Sequence, residues 1–373
     1  MKLKWQWSPL SECPKKLDHC TRRPSPPPSP RGRGSEIEKL SLSQTANACR
    51  TKDHLAITGS ARWQTARMNQ IRRSALKKSL YGLLALALLI AVDVAAGQSQ
   101  ELASEQSAAA LLKKHEVLTA QLAHNPYRRP LVLDSSETRN SVNGNAYAVL
   151  DSPFSTFSAT FKSPNHWCDV LFLHLNTKYC RASADTSPGK LKMRIGKKTA
   201  QELHDAFALE FTYQLAAASP SYIAAQLNAP EGPLGTTNYR IELQAVPLGE
   251  GKTFMHLRYS YGYGMAGRLA MQGYLATVGS GKIGFTQIND GQKSRYVGGM
   301  RGAVERNTMR YYLAIEAFLA SLGQPATQQL SMRLRYWFDA TEEYPQQLHE
   351  VDRDSYLSMK KAEYQRQKSS LSE

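Results

Sequence analysis

Several runs in which every second residue is apolar, followed by one long amphipathic helix, constrain this 373-residue chain more than any other feature. Leu191, Met193 and Ile195 alternate with Lys190, Lys192 and Arg194. Phe207, Leu209, Phe211, Tyr213 and Leu215 repeat the period, as do Tyr239, Ile241, Leu243 and Ala245. Met255, Leu257, Tyr259, Tyr261 and Tyr263 repeat it again, and Ile283 with Phe285 begins a last short strand. Turn chemistry separates the runs: Ser187-Pro188-Gly189, Pro230-Glu231-Gly232-Pro233 and Pro247-Leu248-Gly249-Glu250-Gly251. A period of two with short turns predicts an antiparallel sheet with one covered face. Seven or eight strands are expected between residues 172 and 288.

The flanks read as helices. Asn143-Gly144 is a turn signal before a strand at Ala146 to Leu150. Ser152-Pro153 and then Ser163-Pro164 each offer an N-cap followed by proline, the pattern of a helix start. Phe154, Phe157 and Phe161 share a face of the first helix; Trp167, Cys168 and Leu171 follow the second start. From about Met300 to Leu322, Val304, Thr308, Tyr311, Ile315, Phe318 and Leu322 form the stripe of a helix packed on a sheet. Pro325 opens a helix to about Asp339, and a charged helix from Gln346 to Gln367 extends from the body. Residues 101 to 123 predict a helical arm rich in Ala, Glu, Lys and Gln.

A strand, two short helices, antiparallel strands and a long helix, in that order, resemble the START-like superfamily (Bet v 1-like, SRPBCC, polyketide-cyclase-like). Asp151-Ser152-Pro153-Phe154, the Trp167 segment, Glu305-Arg306-Asn307 and Arg310-Tyr311-Tyr312 carry the resemblance. It implies an α+β helix-grip fold over 143–322, in which a curved sheet grips the long helix around an apolar cavity for lipids, sterols or aromatic metabolites.

Charge and cysteines divide the chain. Residues 1–97 hold 17 of the 47 Lys and Arg and 6 of the 31 Asp and Glu, net +11 of the +16, leaving +5 for the remainder. Residues 1–67, with Pro24-Ser25-Pro26-Pro27-Pro28, predict a disordered extension or one lying before the true start at Met68. From Met68 the chain reads as an export signal: Arg72, Arg73, Lys77 and Lys78, an apolar run Leu80 to Val92, then small residues to Gly97. An uncleaved segment would instead anchor the chain in a membrane. A leader arm (98–142), the helix-grip domain (143–322) and a C-terminal extension (323–373) follow. The mature part is expected to be periplasmic or secreted, with no nucleic-acid role, because the basicity sits mostly outside it. Cys168 and Cys180 remain there as one disulfide or two buried thiols.

Candidate chemistry is sparse. Gly262-Tyr263-Gly264-Met265-Ala266-Gly267, with Asp290 beyond, matches a dinucleotide fingerprint, but its strand carries His256, Arg258 and Ser260 where a central parallel strand is apolar. His174 is the best candidate base, with Asp169 to orient it. No His and Cys spacing suggests a metal, and no cofactor is expected. Tyr259, Tyr261 and Tyr263 share one strand face, suited to an amphiphile cavity or to plain core packing. Trp167, Tyr213 and Tyr311 join them as ligand candidates, and Arg306 and Arg310 as head-group contacts; with Arg301 and Glu305 the arginines equally form a surface ion-pair row. The expectation is a non-enzymatic binder of a hydrophobic or amphiphilic small molecule. The alternatives are an envelope protein binding a partner through its C-terminal helices, and a hydrolase or cyclase-like enzyme using His174.

Overall fold

The alternating runs close into one antiparallel sheet. The computed structural model describes residues 105–183, 189–277, 279, 281–289, 291 and 294–369. The expected extension and export signal, Asp290 and most of the Ser187-Pro188-Gly189 turn lie outside the described residues. Among these residues no helix is long and apolar enough to cross a membrane.

The strands are β1 (Leu131–Glu137), β2 (Ser141–Leu150), β3 (Thr177–Ser183), β4 (Gly189–Ile195), β5 (Phe207–Ala218), β6 (Ile223–Glu231), β7 (Thr236–Leu248) and β8 (Lys252–Tyr263). Their order is β1-β2-β8-β7-β6-β5-β4-β3. Every neighbouring pair is antiparallel. Six of these strands, not seven or eight, lie between residues 172 and 288. The expected strand at Ile283 and Phe285 is irregular chain; a short hairpin, β9 (Gln287–Asn289) with β10 (Ser294–Tyr296), follows it.

The helices are α1 (105–123), α2 (Phe154–Phe161), α3 (Pro164–Phe172), α4 (Met265–Ala276), α5 (Gly299–Ser321), α6 (Ala326–Glu342), α7 (Pro345–Leu348) and α8 (Arg353–Ser369). α2 and α3 start beside Pro153 and at Pro164, but neither has a side-chain cap bond. Proline's fixed φ, rather than a serine hydroxyl, sets these starts. α5 crosses β2, β1 and β8. A curved antiparallel sheet gripping a long C-terminal helix is the helix-grip arrangement. Leu257, Tyr259, Ala146, Ala148, Leu313, Ile315 and Phe318 share its core.

Three local expectations are overturned. Asn143-Gly144 is no turn: both residues lie inside β2, where a side chain at 144 would strike Thr308 of α5. The glycine admits a crossing helix. The charged C-terminal helix does not extend from the body, because α8 buries Tyr356, Met359, Lys360 and Glu363 against the domain. Glu363 takes Lys178 at 2.9 Å and Lys360 at 2.7 Å, and Lys360 also donates to Thr177 O at 2.6 Å. α1 is not a free arm either: Ala108, Leu111, Leu118 and Leu122 form a second apolar cluster with Tyr222, Ala224, Val246 and Phe254 on the outer face of the sheet. Each buried leucine contributes roughly 1.5–3 kcal/mol.

Cys168 and Cys180 are bridged, with Cα atoms 5.3 Å apart. The chain folds back immediately after α3 and enters β3 at Thr177, whose N–H donates to His174 O at 3.0 Å. That reversal brings the two cysteines together.

Candidate functional site

Under the N-terminal half of α5 the tyrosines pack on one another. Tyr239 stacks on Tyr261 with centroids 5.1 Å apart, and Tyr259 meets Tyr311 edge-on at 5.2 Å. A polar row runs through them: Thr236 Oγ1 donates to Tyr239 OH at 2.9 Å, Tyr239 bonds Tyr259, and Tyr259 bonds Asn307. Burial raises Tyr259, Tyr261 and Tyr311 well above the usual phenol range, so these hydroxyls are neutral. Tyr263 stands at the end of its strand and donates to Thr138 O at 3.1 Å.

His174 lies beside this row, 5.4 Å from the Tyr311 ring, in the turn after α3 rather than in a strand. Its Nδ1 accepts the Asn176 N–H at 3.2 Å, so the neutral ring carries its proton on Nε2. The ring is buried and also meets the Asn307 side chain. Burial, then Arg310 and Lys198, push its pKa well below the usual value, against Asn307, which favours the protonated ring. Asp169 does not orient it: that carboxylate takes Arg333 Nη1 at 3.0 Å. The expected pair is two separate residues, because Asp169 points from α3 towards α6 while His174 sits past the end of α3.

Trp167 and Tyr213 are in neither group. Trp167 Nε1 and Tyr213 OH both donate to Phe161 O, at 3.2 and 3.0 Å, closing the end of α2. Of the charged row on α5, half-exposed Arg301 pairs with Glu305 at 3.9 Å, while Glu305, Arg306 and Arg310 face inward. Glu305, wholly buried, accepts from Ser135 Oγ, from the N–H groups of Phe285 (2.6 Å) and Thr286 (2.9 Å), and from Thr286 Oγ1 (2.7 Å). Arg306 donates to Ile283 O at 3.1 Å. Arg310 holds Glu350 at 2.8 Å and Leu348 O at 3.3 Å. Burial would raise Glu350, but Arg310, Lys198 and Lys282 outweigh it and hold the carboxyl at about 2. These side chains staple the 282–286 segment and the α7–α8 link to α5.

The C-terminal half of α5 is different. A cleft of about 700 Å³ opens between it, α6 and the β2–α2 junction. Leu150, Pro153, Leu313, Ala317, Leu322 and Ala340 supply apolar walls. Arg129, Glu316 and Glu343 supply charge: Arg129 bridges the two carboxylates at 2.7 and 2.6 Å. Burial raises the Glu316 pKa against the pull of Arg129. Leu150, Asp151, Ser152, Pro153 and Leu322 were marked in the sequence as parts of elements, but nothing there marked them or the remaining lining residues as a cleft. Alanines on two helices read as spacing, and Arg129 and Glu343 are 214 residues apart.

Gly262 to Gly267 do pass from a strand into a helix, β8 into α4. Yet β8 is antiparallel to both neighbours, so the parallel βαβ unit of a dinucleotide site is missing there. Among the described residues no three His, Cys, Asp or Glu side chains gather as metal ligands would.

No family model and no curated protein matches the chain. Among solved structures it is similar to a norcoclaurine synthase point mutant from Thalictrum flavum in complex with a transition-state analogue. That match has 12% identity, 38% of this chain, 92% of that one and a TM-score of 0.28. It is similar to human StAR-related lipid transfer protein 5 at 10% identity, 43% and 82% coverage and a TM-score of 0.25. A conserved protein from Geobacillus kaustophilus matches at 12% identity, 48% and 95% coverage and a TM-score of 0.28. These are helix-grip proteins. Likeness at this level says nothing of activity, and the fold stands on the strand order and helix placement above.

Proposed function

We propose that this is an exported helix-grip protein that binds a hydrophobic or amphiphilic small molecule without transforming it. The cleft beside the C-terminal half of α5 carries the reading. Its volume lies within the roughly 300–1,000 Å³ of small-molecule sites, and its walls mix apolar side chains with charged ones, Arg128, Arg129, Asp151, Glu316, Asp339 and Glu343, as an amphiphile with a polar head would need. The tyrosine-lined interior is less suited, because Tyr239, Tyr259, Tyr261 and Tyr311 spend their ring faces on one another. Export is favoured by the signal-like segment from Met68 and by the Cys168–Cys180 bridge, which persists in oxidising compartments. A binding role is favoured over catalysis because His174 is neutral, buried and without an orienting carboxylate.

Native mass spectrometry and solvent extraction of periplasmically produced protein should recover a bound amphiphile. Ala320, exposed on the cleft wall, tests the location. Ala320→Trp should weaken binding of a dansylated undecanoate at least about tenfold, because the indole occupies the ligand's space. Unchanged affinity would move the site elsewhere; no bound amphiphile in either experiment would remove the function.

A further inference from the structure

The outer face of the sheet has two parts. α1 covers one, over Tyr222, Ala224, Val246 and Phe254. Beyond it, β3, β4 and β5 turn their outward side chains to solvent. On β4 these are Lys190, Lys192 and half-buried Arg194. Arg181 of β3 stands directly opposite Lys192, and both are exposed. Like charges directly opposed across a ladder are destabilising. Glu210 is the sole acid in these three strands, and it pairs with Lys190 at 2.7 Å. Lys192 also stands opposite Glu210, whose carboxyl Lys190 holds and both lysines pull down, so one acid serves two of the row's cations. Alternate residues lie ~6.6 Å apart and strands ~4.8 Å apart, so the cations repel within one Debye length, ~8 Å at physiological salt.

Charged side chains often guard a sheet edge against pairing. Here α8 already does so: Gln367 Oε1 accepts the Cys180 N–H at 3.0 Å and Lys360 Nζ donates to Thr177 O. Guarding the edge therefore does not account for this row.

We infer that the outward face of β3–β5 is a docking surface for an anionic lipid bilayer, with Arg181, Lys190, Lys192 and Arg194 lying against the head groups. A broad sheet face with cations on one side matches a surface of dispersed negative charge. A single-stranded nucleic acid would ask for exposed aromatic platforms, and Tyr179, half-buried opposite Arg194, is the aromatic on this face.

The test uses the full chain with phosphatidylcholine vesicles, pure or with about 30% phosphatidylglycerol, at roughly 0.1 M salt. Wild-type protein should partition more strongly onto the anionic vesicles. Arg181→Gln with Lys192→Gln should weaken that partition about 10- to 30-fold. Partition onto pure phosphatidylcholine should not change, and the urea midpoint should hold or rise as repulsion is relieved. The basic residues and apolar run near Met68 are common to both proteins, so only the difference is read. Equal partition of variant and wild type onto anionic vesicles would overturn the inference. So would a variant that loses retention on heparin while keeping its partition, which would make the partner a soluble polyanion.

Discussion

The two halves of α5 are built on opposite plans. Its N-terminal half is pinned by buried charge: Glu305 gathers four donors, Arg306 reaches a carbonyl and Arg310 holds Glu350. Its C-terminal half presents Leu313, Ala317, Leu319 and Ala320 to an open cleft. Both halves belong to one unbroken 23-residue helix. A helix-grip protein thus separates holding the helix from leaving room beside it. Charged side chains do the first, because each satisfies several backbone groups of incoming loops. The alanines at 317 and 320 help with the second.

If the N-terminal half is the anchor, removing its central carboxylate has the largest effect. Glu305→Ala leaves one buried and one half-buried N–H group and two hydroxyls without their acceptor. The expected loss is about 3–5 kcal/mol in urea unfolding, the usual result of deleting one member of a buried charged network. A loss under about 1 kcal/mol would mean that water replaces the carboxylate and that the two halves are held alike.

The same division explains what the sequence made legible. Period-two runs such as Met255 to Tyr263 and the proline-marked starts of α2 and α3 are local signals, and local chain geometry decides them. β6 was not legible: its inward residues Ile223, Ala225, Leu227 and Ala229 alternate with Ala224, so alanine blurs the contrast. Gly144 misled because a close helix crossing and a turn ask for the same residue. Glu305 and Arg306 misled because their partners arrive from about 20 residues away, and nothing in helix spacing reports an incoming loop. α8 looked solvated because its buried Lys360 and Glu363 count as polar in sequence, although they neutralise one another and Lys178 of β3. The cleft had the weakest signal, because its walls come from stretches of chain far apart in sequence.

Acid gives the next largest effect. Glu350 has its pKa held at about 2 in the folded chain against an ordinary 4.5. A depressed folded value means that this stabilisation is present above about pH 4.5 and is lost as pH falls through about 2, about 3 kcal/mol in all. Lys198, in the same cluster, is pushed down to about 8 by burial and by Arg310. Its folded value is also below the unfolded one, so stability rises between pH 8 and about 10.5. Urea midpoints measured across pH should show both limbs. Glu350→Gln should flatten the acid limb; an unchanged limb would detach Arg310 from the anchor.

Two enlargements measure how much room each half has, and they make the smallest pair of effects. Gly302 lies in the first turn of α5, and a methyl there would stand 2.9 Å from Val297 O and 3.2 Å from Gly284 N, both backbone atoms. Backbone cannot swing aside as a side chain does. Gly302→Ala should therefore destabilise by about 1–2 kcal/mol, although alanine gains up to ~1 kcal/mol in helix propensity. Ala320→Trp adds a far larger group at the other end, yet it projects into the cleft and should change stability by less than about 0.5 kcal/mol. Paired urea titrations read the contrast directly. If the methyl costs less than the indole, the tight and open halves have been assigned the wrong way round, and the cleft loses its standing as the ligand's place.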